Sequence, residues 1–174
     1  VSPRSGSTNG GTIVYVSGTG FKNTSGLYCR FGTLPAVHGN FISSTNISCV
    51  SPMHQVGSVS VEIASNGIDY SEDMVQYRYH ASAAISHIVP SSGPTEGGTI
   101  VSVYGRNFVD SDSLYCRFGN TSVVSGRWVS NDRVECESPF MAPSIVMIEV
   151  TNNGVDYTSN NVAYTILPKS MVSS

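Results

Sequence analysis

The chain has 174 residues, of which 12% are charged, and its formal net charge is −3. So sparse and faintly acidic a charge set argues against nucleic acid as a partner, because phosphate binding needs a dense basic stripe. No run of about 18 apolar residues occurs, so no segment reads as a membrane-spanning helix.

The predicted elements come in two matching sets. Leu-Tyr-Cys-Arg-Phe-Gly stands at Leu27–Gly32 and again at Leu114–Gly119, and a shift of 87 residues aligns 33 of 87 positions without a gap. A period of that size means one unit in two copies. Two domains are expected, at residues 1–84 and 85–168, with 169–174 opening a further copy. Read in a circle, Val172-Ser173-Ser174 followed by Val1-Ser2-Pro3 aligns with Ile85–Pro90. The first domain is therefore expected to lack the beginning of its first strand, and the chain to be a slice of a longer array.

In the second copy a first strand is expected from Ile85 to Val89, ended by Pro90 and a Ser-Ser-Gly-Pro turn. Gly97-Gly98 leads into a second, Thr99 to Tyr104, and Leu114 to Phe118 forms a third, ended by Gly119. A short fourth covers Ser122 to Ser125, and a fifth runs from Arg133 to Cys136 into Ser138-Pro139. The sixth, Ile145 to Thr151, is closed by Asn152-Asn153-Gly154, where Asn-Gly signals a tight hairpin. Val162 to Ile166 is the seventh. Period-two patterning with no helical stretch predicts an all-β chain of two tandem immunoglobulin-like sandwiches, about seven strands each. Short linkers, His80–Ala84 and Leu167–Met171, predict a semi-rigid rod.

Cys29, Cys49, Cys116 and Cys136 fall one pair per copy, 20 residues apart. That spacing, and the lack of close Cys/His pairs, does not suit zinc. Two disulfides, Cys29–Cys49 and Cys116–Cys136, are the economical reading, set against four buried free thiols. Disulfides imply a compartment outside the cytosol. Three Asn-x-Ser/Thr sequons, at Asn23, Asn46 and Asn120, agree with a secreted or cell-surface glycoprotein.

A fixed order of motifs emerges: a proline turn, G-x-x-x-G-G-T, V-x-G-x-x-F, Y-C-R-F-G, V-x-C-x-S-P, N-G-x-D-Y and a closing V-x-Y. This order resembles the IPT/TIG domain, an immunoglobulin-like fold shared by plexins, transcription factors and scatter-factor receptors, and it covers both copies end to end. The resemblance implies a paired cysteine bridge in extracellular members. It does not fix function, since such domains bind DNA, build receptor stalks or accompany carbohydrate-active enzymes.

No catalytic constellation is legible, and no enzyme, metal or cofactor is expected. Glu72-Asp73 and the equivalent Glu62 and Glu149 read as solvated or structural acids rather than a glycosidase pair. Asp110-Ser111-Asp112 lacks the later Gly and Glu of a calcium loop. In the hexapeptide, a period of two places Cys and Phe inward and Tyr28/Arg30 and Tyr115/Arg117 outward, available to pair with Glu or to meet a neighbouring domain. Trp128, at the position of Phe41, reads as core or partly buried rather than as a sugar platform. The expected function is a non-catalytic structural repeat building an extracellular, glycosylated fibre or surface appendage, with itself as head-to-tail and lateral partner. The alternatives are a ligand-binding or stalk module of a plexin-like receptor or adhesin, and a carbohydrate-binding accessory module.

Overall fold

A computed structural model describes residues 1–168; the expected start of a further copy at 169–174 lies outside the described residues. The chain divides into two compact units, Val1–Ser82 and a second beginning at Ala83. Among the described residues each is built from eight short strands and no helix.

In the first unit, β1 (Ser5–Ser7), β8 (Val75–His80), β7 (Gly57–Ala64), β3 (Tyr28–Phe31) and β4 (Val37–His38) form one sheet in that spatial order. The facing sheet is β2 (Ile13–Ser17), β6 (Asn46–Val50) and β5 (Asn40–Ser43). Alternation explains the layers. Val14 and Val16 of β2 point inward while Ile13 and Tyr15 point out, and Cys29 and Phe31 of β3 point inward from the other side. Val14, Phe31, Ile47, Tyr77 and Tyr79 pack between the sheets with little or no exposure.

The second unit repeats this plan with β9 (Ala84–Val89), β10 (Ser92–Pro94), β11 (Ile100–Arg106), β12 (Tyr115–Phe118), β13 (Ser122–Ser130), β14 (Arg133–Glu137), β15 (Ser144–Thr151) and β16 (Val162–Leu167). Its core gathers Val101, Val103, Phe118, Val134, Ile148 and Tyr164. One bridge spans each sandwich. Cys29 on β3 bonds Cys49 on β6, with Cα atoms 6.4 Å apart, and Cys116 bonds Cys136 at 6.3 Å.

Three details depart from the sequence expectation. The Ser-Ser-Gly-Pro stretch is a strand rather than a turn: β10 runs parallel to β16 and is the eighth strand of the second unit, as β1 runs parallel to β8 in the first. The first strand thus changes sheets at Pro90, since β9 pairs with β11 in the opposite layer. The expected fourth strand, Ser122–Ser125, continues to Ser130, pairing first with β12 and then, past Gly126, with β14. A side chain at Gly126 would crowd Leu114 and Val134 where the strand passes between layers. Finally, Asn153-Gly154 is not a tight hairpin, because residues 152–161 separate β15 from β16. Asn153 Oδ1 instead accepts the amides of Val155 and Asp156, folding the loop on itself.

The Gly-Gly-Thr and Ser-Pro motifs meet at one place. Gly10 has φ of 71°, and a side chain there would strike the Pro52 backbone. The neighbouring Gly11 amide donates to Ser51 O, and Thr12 N donates to Ser51 Oγ. Gly97, Gly98, Thr99 and Ser138 reproduce the arrangement.

Candidate functional site

The recurring hexapeptide lays its polar side chains on the outer face of the larger sheet. Arg30 on β3 stands directly opposite Glu62 on β7, and Arg117 on β12 opposite Glu149 on β15. Cross-strand partners on one face are within reach of each other. Arg30 Nη2 donates to Glu62 Oε2 at 2.5 Å. Arg117 donates to Glu149 Oε2 through Nε at 3.1 Å and also through Nη2.

The Asn-Gly-x-Asp-Tyr loop completes the cluster. Asn66 Oδ1 accepts the amides of Ile68 and Asp69, and its Nδ2 donates to Asp69. That turn brings Tyr70 back to bridge Ala64, and Tyr157 bridges Thr151 in the same way. The Arg30 guanidinium then lies 4.1 Å from the Tyr70 ring centroid, and that of Arg117 lies 3.9 Å from Tyr157. Each arginine is clamped between a carboxylate and an aromatic face. Burial raises the pKa of Tyr157, and the Arg117 charge opposes that rise. Tyr28, also on this face, meets the His38 ring edge-on at 5.3 Å. Glu62, Glu149, Tyr28, Arg30 and Arg117 are thus tied together within their own units. Sequence reasoning missed Tyr70 and Tyr157 as partners; the only signal was the Asp-Tyr pair at the same offset in both copies.

The sequons differ in setting. Asn23, in the β2–β3 loop, and Asn120, in the β12–β13 turn, are exposed. Asn46 is half-buried at the start of β6, where its Oδ1 accepts the Ser17 hydroxyl and its Nδ2 donates to Thr45. Trp128, expected in the core or partly buried, is exposed at 38%, with Nε1 donating to Phe108 O at 3.2 Å. Among the described residues no three His, Cys, Asp or Glu side chains converge as a metal cluster, and Asp110 and Asp112 join no such group. No helix there is long and apolar enough to cross a membrane.

Exposed apolar side chains recur with the repeat. Ile13 and Ile100 are 53% and 54% exposed, Met53 and Phe140 are 73% and 79%, and Ile68 and Val155 form a third equivalent pair. The units differ on the outer face of the smaller sheet. Ile13 pairs with Val50 beside Tyr15 in the first unit, all exposed. The corresponding residues of the second are Ile100, Glu137 and Ser102, next to Glu135, which binds both Arg127 and Arg133.

Two disulfide-braced, immunoglobulin-like sandwiches in tandem, each carrying the same arginine clamp, define a modular β-repeat protein. The profile of the IPT/TIG domain matches residues 1–79 and 83–166, and the chain belongs to that family. It is 26% identical over 163 residues to human Fibrocystin-L, a match covering 92% of this chain and 4% of that protein. It is 24% identical over 172 residues to Plexin-2 of Caenorhabditis briggsae, covering 92% of this chain and 10% of that protein. The chain therefore spans a small fraction of the curated relatives it matches. Among solved structures it resembles the full extracellular region of Plexin A4, with a TM-score of 0.60 and 18% identity, over 95% of this chain and 15% of that one. That likeness speaks to the fold.

Proposed function

We propose that the chain is a non-catalytic structural repeat of an extracellular protein, the building unit of a glycosylated fibre or surface appendage whose repeats follow head to tail. The recurrence of exposed apolar positions with the repeat carries this reading: Ile13/Ile100, Met53/Phe140 and Ile68/Val155 offer the same contacts from each unit. An array presents identical surfaces to successive neighbours, whereas a ligand site needs to appear only once. Two disulfides support an oxidising compartment, as does the likeness to a plexin extracellular region. The clamped arginines act as struts that stiffen the outer face, and Asn23 and Asn120 are the positions suited to carry glycan.

A second reading, a ligand-binding or stalk module of a plexin-like receptor, is favoured by one observation. The Ile13–Tyr15–Val50 patch exists on the first unit alone, and an exposed apolar patch marks interaction surfaces. Shearing native cells separates the two. The fibre reading predicts that antibody against this chain finds its antigen in the sedimented, sheared filaments. Antigen recovered wholly in the detergent-soluble membrane fraction would contradict it.

A further inference from the structure

The chain carries three Asn-Gly pairs, Asn9-Gly10, Asn66-Gly67 and Asn153-Gly154. An asparagine side-chain amide before glycine is open to attack by the next backbone nitrogen. Glycine has no side chain to block the approach and has the widest choice of backbone angles. Whether the attack happens depends on what holds that nitrogen. The Gly10 N–H donates to Ser7 O at 2.9 Å. The Gly154 N–H donates to Thr151 Oγ1 at 3.0 Å, and the same hydroxyl donates to Asn153 Oδ1 at 3.1 Å. Asn153 is also buried, with 6% exposure.

Asn66-Gly67 stands in the same loop of the first unit without those restraints. The counterpart of Thr151 is Ala64, which has no hydroxyl to hold the Gly67 N–H, and Asn66 and Gly67 are both exposed. The electrophile is prepared. Asn66 Oδ1 accepts the amides of Ile68 at 3.0 Å and Asp69 at 2.8 Å. Two donors on that oxygen stabilise the negative charge it gains as Cγ turns tetrahedral. Asn153 has the equivalent two donors, so the hold on the glycine nitrogen and the access of water make the difference.

We propose that Asn66 is a spontaneous modification site, losing its side-chain amide through a succinimide, and that this conversion loosens the arginine clamp of the first unit. Hydroxide removes the Gly67 N–H proton, and the nitrogen bonds Asn66 Cγ. The Cγ–Nδ2 bond breaks, and Nδ2 leaves as ammonia with a proton from water. Water then opens the ring at Cγ to give aspartate, or at the backbone carbonyl to give isoaspartate. One water is consumed and one ammonia released, with no change of oxidation state. Either product removes the Nδ2 donor that Asp69 accepts at 2.8 Å and adds a second carboxylate beside it. That turn is what returns Tyr70 to Ala64 and lays its ring 4.1 Å from the Arg30 guanidinium. The clamp therefore opens on its aromatic side.

The test incubates the whole chain, bridges intact, in heavy-oxygen water at mildly alkaline pH and follows Asn9, Asn66 and Asn153 by peptide mapping. Asn66 is expected to convert first, into labelled aspartate and isoaspartate. Asn153 should lag by about tenfold or more, since freeing the Gly154 N–H breaks a hydrogen bond. Thr151→Ala is expected to speed conversion of Asn153 roughly tenfold and leave Asn66 unchanged, with Trp128 fluorescence showing that the second unit is still folded. In the converted chain, separated by its charge, amide NMR shifts are expected to move at Ile68, Asp69 and Tyr70. Conversion of Asn9 or Asn153 ahead of Asn66 would overturn the site, whether or not the Thr151 variant folds. So would an Asn66 that stays intact while the reduced, denatured chain converts. A folded Thr151→Ala chain with Asn153 no faster would overturn the protection assigned to the hydroxyl. An unmoved Tyr70 would overturn the link to the clamp.

Discussion

Removing the bridge of the second unit tests how much of its stability the small core supplies. Cys116 and Cys136 are 20 residues apart and both are essentially buried. Opening a loop of that length returns about 3 kcal/mol of chain entropy to the unfolded state. Replacing both by Ala also leaves a small void, adding about 1 kcal/mol. A unit this size has a urea slope of about 1 kcal/mol per molar, so the midpoint should fall by about 4 M. Trp128, the sole tryptophan, lies in the second unit, so its fluorescence reports that unit alone. A midpoint falling by less than about 1 M would refute the chain-entropy argument for the bridge.

Arg117→Ala should cost about 2 kcal/mol in the same assay, because Glu149 keeps only 19% side-chain exposure and would lose its cation. Arg117→Lys should recover part of the loss, since an ammonium cannot both stack on Tyr157 and donate through two nitrogens. Burial raises the pKa of Tyr157 and of Tyr79, whose ordinary value is 10.0. Above that value the unfolded chain loses these protons first, so stability should hold below pH 10 and fall as pH rises further, visible as lowered thermal midpoints. Mass spectrometry of native glycopeptides should find glycan at Asn23 and Asn120 ahead of Asn46; principal occupancy of Asn46 would count against the half-buried setting assigned to it.

Much of the architecture could be read from local rules. In Tyr-Cys-Arg-Phe, strict alternation was enough to send Cys29 and Phe31 inward and Tyr28 and Arg30 outward. The strand β10 escaped because three residues ending in Pro94 carry no alternation, and only the neighbouring β16 makes them extended. Gly126 reads as a strand end, yet it lets β13 cross between layers. The arginine clamp joins residues from three elements, so no window of sequence contains it.

The most direct test of the structural-repeat reading is immunogold electron microscopy of native material, using antibody raised against this chain. The account predicts gold along extracellular filaments at regular intervals, since each repeat would display the same epitopes. Label scattered singly over the cell membrane, with none on filaments, would contradict it.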